Sequence, residues 1–445
     1  MDANAIHDAE PMAISEVICN VTSNETANGT AKQIYDDILE KSKKHKEVRH
    51  SSNAKDKEKV LILHTLLEAI REDMKNLITL YPTFSISPSH DVHGMLWSQC
   101  FYKQIEEFRR SIRKHASALA EDNDATALGM SVAAARDEEA VVKARHHFVR
   151  LVTTYTKLLT TSFVFYQELM LTLENCVKQT NDILEAESYI RSIHRCSLYL
   201  GDLSRYREQI SEGKEKNYSE AMRYYERAAF LVPSSGNPHN QLAVLATYGN
   251  SELVAVYHYC RSVLVIQPSS VGYDNLCILF DKNAKAFMQA LRQKEYEEAQ
   301  GPVVVGNGFR DRKQDAGSKS GKMKVHFFFL QFIRLHGLIF EWSMSKFQPS
   351  TFSSSKRNLS STLNVGEFIS DLQDLMNTLE DLLQASIFSD ALLVRLLVIC
   401  IFSVHESIPS SHRKVGDEKK ITRNSGPRTI GESLALVMIY GFISR

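Results

Sequence analysis

The run Leu200-Gly201-Asp202-Leu203-Ser204-Arg205-Tyr206-Arg207 sets two guanidinium groups around a phenol within one helical stretch. Guanidinium forks and a tyrosine hydroxyl are donors that can satisfy the oxygens of an anion, so the chemistry on offer is binding without bond-making. Asp202, three residues before Arg205, offers the same guanidinium an intrahelical ion pair instead. Other polar sets come to less. Gly317-Ser318-Lys319-Ser320-Gly321-Lys322 has the outline of a phosphate-binding loop, but it is one residue short, is followed by Met323 instead of Ser or Thr, and follows no strand; it reads as linker. His146-His147 are adjacent, and so face different directions, unlike an i, i+4 metal pair. No Gly-x-Ser-x-Gly or Gly-x-Gly-x-x-Gly run is present, and Glu138-Glu139 and Glu297-Glu298 belong to charged helix faces. The chain is expected to be no enzyme and to hold no cofactor or metal.

At 445 residues the chain exceeds a single core, and two or three packed units are expected. Its 53 basic and 53 acidic side chains cancel, so any anion site must be local, and strong direct nucleic-acid binding has little support. Seven scattered cysteines form no Cys-x-x-Cys pair and read as small core residues of a reducing compartment. No signal or transit pattern opens the sequence. The apolar windows Val325–Trp342 and Ala391–Val404 are interrupted by Arg334, His336, Glu341 and Arg395, which favours buried helices over membrane spans.

These residues must be positioned by helices. Residues 1–31 are small and polar without a sustained period and are expected to be a disordered tail. Leu63, Leu66, Leu67, Ile70, Met74, Leu77 and Ile78 then follow the helical i, i+3, i+4 rule, and Pro82 closes the segment. Further helices are expected over Met95–His115, Val141–Cys176 and Tyr189–Ile210. Tyr224, Pro233 and Asn240-Gln241-Leu242 recur 35 residues later as Tyr259, Pro268 and Asn275-Leu276. A period of about 34 residues is that of tetratricopeptide repeats, stacked helix pairs that usually hold other proteins. Residues 300–324 read as a linker. Helices resume over His326–Met344, Phe368–Ile387 and Asp390–Glu406, and Ser433–Arg445 is a short apolar helix candidate.

With these words in place, the chain resembles the Ever Shorter Telomeres / SMG adaptor family of nonsense-mediated mRNA decay, most like its SMG-seven branch. Leu96-Trp97 with Phe101 and Gln104-Ile105, then Leu200-Gly201-Asp202 with Arg205-Tyr206-Arg207, Tyr224-Tyr225, Leu231-Val232-Pro233, Asn240-Gln241-Leu242-Ala243 and Tyr257-Tyr259-Arg261-Ser262 carry the resemblance, over residues 60 to 290. It implies an all-α chain: a 14-3-3-like bundle over 32–216, tetratricopeptide-like helices over 217–299, a linker at 300–324 and a helical-hairpin domain over 325–445.

The family's groove binds phosphorylated Ser or Thr followed by Gln. The resemblance places Arg205 and Tyr206 on the phosphate, Asn240 on the peptide backbone, and Arg109 as a second phosphate arginine. Seven residues before Arg109, where a helix returns to the same face, the family has a basic residue and this chain has Tyr102. Lys103 is adjacent but turned about 100° around the helix. Losing one cation removes a charge-assisted bond of roughly 1.5–3 kcal/mol.

Each of these residues has a structural alternative. Arg205 can bridge to Asp202, Arg109 can belong to a solvated face with Glu106 and Arg110, and Asn240 can cap the helix that follows Pro238. Trp97, Tyr224, Tyr225 and Tyr259 read as core.

The implied function is a phosphoprotein adaptor that reads phosphorylated Ser/Thr-Gln segments of the up-frameshift RNA helicase. The resemblance further implies pairing with another family member, indirect delivery to mRNA decay factors, no membrane, and a cytoplasmic location with shuttling to the nucleus. Two alternatives stand beside it: a telomerase-associated protein binding telomeric DNA or telomerase RNA, and a helical scaffold without phosphate binding. A nuclease like that of some relatives would need an α/β region with an Asp cluster, and none is visible.

Overall fold

The computed structural model describes residues 10–50, 57–127, 138–213, 215–300, 312–347 and 365–407. They are helical throughout, and among them only one isolated bridge, between Ser235 and Gln267, has extended character. The chain divides into two compact units, with the boundary in the sequence between Val232 and Pro233.

Unit 1 contains α1 (Glu10–His50), α2 (Lys57–Leu80), two single turns α3 (Pro82–Ser85) and α4 (Val92–Met95), a π-helical segment (Leu96–Tyr102), α5 (Lys103–Ala127), α6 (Glu138–Gln179), α7 (Ile183–Gln209) and α8 (Ser219–Leu231). The apolar stripe of α2 delivers Ile70, Met74, Leu77 and Ile78 to the core. There they meet Phe101 and Ile105, Tyr155 and Tyr166 of α6, and Leu200, Leu203 and Tyr206 of α7. Each fully buried Leu, Ile or Phe contributes about 1.5–3 kcal/mol. Pro82 stands in the first turn of α3, and the Asp182 carboxylate caps α7 by accepting from Leu184 N at 2.8 Å.

Unit 2 contains α9 (Asn237–Tyr248), α10 (Glu252–Val263), α11 (Gly272–Gln300), α12 (Arg312–Phe347), α13 (Val365–Gln384) and α14 (Asp390–Ser407). The core is aromatic, with Tyr259, Phe280, Phe328, Phe332, Phe340, Phe368 and Phe402 all buried. Residues 321–343 of α12 are long and apolar enough to cross a membrane. Phe328, Phe332, Ile333, Ile339 and Phe340 nevertheless lie in the unit 2 core, as expected of a buried helix.

The structure departs from the sequence reading in three places. Residues 10–31 are helical rather than a tail: Ile14, Val17, Ile18 and Val21 stand at helical spacing among small polar residues, and among the described side chains the apolar contacts of α1 come from Ala31, Ile34, Tyr35 and Ile38. Residues 312–324, read as linker, open α12, so the phosphate-loop-like run is helix; its Lys, Arg and Gln neighbours are good helix formers. Over Met95–His115 the first turns are π-helical rather than α-helical. The Ser433–Arg445 candidate lies outside the described residues.

Direct contacts within unit 2 account for the spacing of the repeat frame. Asn275 Nδ2 donates to Asn240 Oδ1 at 2.9 Å, joining the two equivalent asparagines. The connections pair as well: Gly236 N donates to Gln267 O at 2.8 Å, and Gln267 N to Ser234 O at 2.9 Å. A Cβ on Gly236 would lie 2.0 Å from Ser262 O and 2.7 Å from Ser269 N, both backbone atoms that cannot swing aside.

Gly236→Ala is therefore expected to destabilise the protein by about 1–3 kcal/mol, as overpacking does, whereas Gly249→Ala, with no neighbour nearer than 3.8 Å, is expected to cost far less. Urea melts of both variants check this.

A second expectation concerns acid. Burial depresses His93 of unit 1 to about 3; in unit 2 it depresses His336 to about 3, and, with cationic neighbours, His258 to about 3 and His239 to about 4. Unfolded imidazoles bind protons at about 6.5 and these do not, so their contribution is intact above that pH and is lost as pH falls from about 6.5 toward 4. Denaturant midpoints measured from pH 7.5 to 5 should fall with a slope steeper than one histidine gives.

Candidate phosphate-binding site

The site grows from the packing of α8 on α7. Gly201 leaves no side chain there, and a Cβ would lie 2.4 Å from Cε1 of Tyr225. The Tyr225 ring fills that space, fully buried, and its hydroxyl emerges beside Asp202 and Arg205. Tyr225 OH donates to Asp202 Oδ1 at 2.7 Å, Arg205 Nε donates to Tyr225 OH at 3.2 Å, and Arg205 Nη2 donates to Asp202 Oδ1 at 2.8 Å. Three groups thus close a triangle around a guanidinium whose side chain is 9% exposed. Burial opposes the Arg205 charge, but Asp202, Tyr225 and Tyr206 outweigh it and hold its pKa above the ordinary arginine value.

The fixed guanidinium lies over the Tyr206 ring, 4.6 Å from its centroid. Arg109 of α5 reaches the same ring at 4.4 Å. Two cations from separate helices therefore share one aromatic face system, an attraction that favours both. Arg109 is held by Glu106 Oε2 at 3.0 Å, and Glu106 Oε1 takes Arg113 at 3.0 Å. The Arg109 side chain is 23% exposed, so it presents more surface to solvent than Arg205 does. Burial pushes the Tyr206 hydroxyl above its ordinary pKa, Asp202 pushes it further, and Arg205 and Arg109 pull it down. It stays a neutral donor at physiological pH. Beneath lies Tyr155, buried, with a hydroxyl that has no partner among the described residues and that feels Arg109, Glu106 and Arg205.

Tyr102 ends the π-helical segment, and α5 begins at Lys103, so ordinary α-helical spacing runs from Tyr102 to Arg109. Tyr102 is 37% exposed, packs against Trp97 at 5.9 Å, and lies close enough to raise the Tyr206 pKa. Lys103 faces elsewhere: it is exposed, and its charge helps to lower the pKa of His45 on α1, after burial and Arg49. The structure thus brings together Arg205, Tyr206, Arg109 and Tyr102, and leaves Lys103 outside the group. Asn240 lies in unit 2, 5% exposed, with its side-chain oxygen taken by Asn275. The ion pairs foreseen as alternatives for Arg205 and Arg109 are both present. They coexist with convergence, because a guanidinium has five N–H groups and each arginine spends only part of them.

Sequence reasoning missed Tyr225 and Tyr155 as parts of this site and took Tyr225 as core alone. The signal for Tyr225 was Gly201, a glycine inside a strong helical pattern, which marks close approach of another element.

Comparison with known proteins places these features in a family. Residues 91–211 match the family model described as telomerase activating protein Est1, and residues 221–440 match the one described as Est1 DNA/RNA binding domain. The chain belongs to the Est1/SMG family. It is 29% identical over 410 residues to the nonsense-mediated mRNA decay factor SMG7 of Arabidopsis thaliana, covering 85% of this chain and 35% of that protein. A second Arabidopsis thaliana relative, the SMG7-like decay factor, is 32% identical over 48% of this chain and 23% of its own length. Telomerase-binding protein EST1A of Danio rerio is 29% identical over 55% of this chain and 15% of its own length. The chain thus spans about a third or less of the length of these relatives. Among solved structures, a chain from the crystal structure of Est1 and Cdc13 aligns at a TM-score of 0.49 and 16% identity, over 93% of this chain and 70% of that one.

The Tyr225 hydroxyl makes a testable link in the site. Tyr225→Phe keeps the ring in the Gly201 gap but removes one bond to the half-buried Asp202 and one to the buried Arg205, both charged. A loss of about 1.5–3 kcal/mol in a urea melt is expected.

Proposed function

We propose that this Est1/SMG-family chain is a non-enzymatic phosphoprotein-binding adaptor in nonsense-mediated mRNA decay. In this reading the face formed by Arg109, Arg205, Tyr206 and Tyr102 holds phosphorylated Ser/Thr-Gln segments of the up-frameshift RNA helicase. Residues 32–216 act as the 14-3-3-like reader, 217–299 as the tetratricopeptide-like continuation and 325–445 as a supporting helical-hairpin domain. Pairing with another family member and a cytoplasmic location with nuclear shuttling belong to the same reading.

One observation carries it: guanidinium groups from α5 and α7 meet at one Tyr206 ring, 4.4 Å and 4.6 Å from its centroid. A phosphoserine brings nearly two charges and three acceptor oxygens, which suit forks that retain unspent N–H groups. Glu106 and Asp202 orient those forks and also compete with the phosphate for them. The relatives named as decay factors supply the process. A telomerase-associated reading is favoured by the family model described as Est1 DNA/RNA binding domain over 221–440 and by the telomerase-binding relative.

Fluorescence anisotropy with a labelled Ser-Gln peptide, phosphorylated and unmodified, and with a single-stranded telomeric oligonucleotide separates these readings. The phosphopeptide should bind more tightly than the other two. Arg205→Ala and Arg109→Ala should each weaken it about 10-fold or more, the loss of one charge-assisted bond. Glu106→Gln should tighten it, because a competing carboxylate is gone. Equal affinity for both peptides in every variant would sink the phosphate reading, and preferential, salt-dependent capture of the oligonucleotide would favour the telomerase one.

A further inference from the structure

Unit 2 carries a cationic cluster to which the proposed clamp contributes nothing. It is built by α9, α10 and α14 around Tyr257. Arg261 Nη1 donates to the Tyr257 hydroxyl at 3.2 Å, with its guanidinium carbon 6.0 Å from the ring centroid. Arg395, brought by α14, lies 5.9 Å from the same centroid. His258 packs edge-on against Tyr257 at 4.8 Å, and its Nδ1 faces Nδ1 of His239 at 3.2 Å. His239 stands in the first turn of α9, where the positive end of a helix adds to the local field.

Compensation separates this cluster from the one in unit 1. Arg109 and Arg205 each hold a carboxylate, whereas neither Arg261 nor Arg395 forms an ion pair among the described residues. The histidines register the same imbalance. After burial, the groups that depress His258 are His239, Arg395 and Arg261, and the one that depresses His239 is Arg261; no carboxylate offsets them. Half-buried charges without a counter-ion are costly, and an incoming anion relieves that cost.

We propose that Arg261, Arg395, His239, His258 and Tyr257 form a second anion site, which takes the phosphomonoester of a phosphorylated protein segment independently of the unit 1 clamp. Two guanidiniums, the Tyr257 hydroxyl and a hydrogen-bonded imidazole pair gathered at one place match a compact group of nearly two charges. A nucleic-acid strand asks instead for Lys and Arg spaced along a groove, and the cluster is confined to a single aromatic ring.

The test uses the full chain and O-phospho-L-serine, followed by ³¹P NMR line broadening. The arms are wild type, Arg109→Ala/Arg205→Ala, and that pair combined with Arg395→Gln. The Arg395 side chain makes only a ring contact among the described residues, so its replacement should leave the fold intact, as circular dichroism would verify. Saturable binding should persist in the clamp variant and weaken at least about 10-fold when Arg395→Gln is added. Complete loss in the clamp variant alone, or binding unchanged by Arg395→Gln, overturns the proposal. So does displacement of phosphoserine by oligothymidylate at a lower phosphate concentration than phosphoserine itself requires. Failure of the clamp reads separately, as unchanged phosphopeptide affinity in Arg109→Ala/Arg205→Ala.

Discussion

The close approach of α7 and α8 at Gly201 is the constraint on which the unit 1 site depends. Without a side chain at that position the Tyr225 ring packs flush on α7, and its hydroxyl is delivered to Asp202 and Arg205 together. An arginine with a side chain 9% exposed would otherwise be a liability, since an uncompensated buried charge costs several kcal/mol, on the order of 3–5 when one partner is removed. The triangle of Arg205, Asp202 and Tyr225 meets that cost and leaves the guanidinium with one orientation, over Tyr206. Arg109 then needs only to arrive from α5 for two cations to share the ring. Packing comes first, and the orientation of both guanidinium groups follows from it.

The two cationic clusters show different solutions to the same electrostatic problem. In unit 1 each arginine is held by an acid one helical turn away, Asp202 for Arg205 and, for Arg109, a Glu106 that it shares with Arg113. A phosphate there must share guanidinium groups already in use, which fork geometry permits because N–H groups on the other edges remain. In unit 2 Arg261 and Arg395 have no carboxylate partner among the described residues, and burial first, then these cations, hold His258 and His239 below the usual imidazole range. The first arrangement fixes its guanidinium groups through its own carboxylates, and the second leaves its guanidinium groups without a carboxylate partner among the described residues.

Much of this was legible in the sequence wherever the information is local. Helical periodicity marked α2, α6, α7 and the later helices because each buries one stripe, and Asp202 was recognised as a partner of Arg205 because three residues on a helix suffice. The first half of α1 was misread, since the short stripe of Ile14, Val17, Ile18 and Val21 is diluted by Ser, Thr, Asn and Gly, which also suit a tail. The start of α12 was hidden by glycines and lysines that read equally well as linker. Contacts that join distant segments were out of reach for a different reason. Nothing near Tyr225 signals that its hydroxyl meets Arg205, and nothing near Arg395 signals that it meets Tyr257, because those encounters are set by how helices pack. The resemblance supplied Arg109 as a partner of Arg205, and only the fold shows the ring they share.

Tyr102 and Lys103 show how one residue of helical phase decides the composition of such a site. The π-helical segment closes at Tyr102, and from Lys103 onward ordinary α-helical spacing holds, so Tyr102 falls on the face of Arg109 and Lys103 does not. Lys103 spends its charge toward α1, where it bears on His45. A long flexible stem does not change this, since bringing the ammonium around the helix would move it off its own side of the bundle. The unit 1 face is therefore a two-cation site with a phenol as its third member. Compared with three cations it gives up Coulombic attraction and keeps hydrogen-bond direction. In the proposed role, discrimination between a phosphate and a carboxylate would rest on geometry, on how many acceptor oxygens the two forks and the Tyr206 and Tyr102 hydroxyls can satisfy at once.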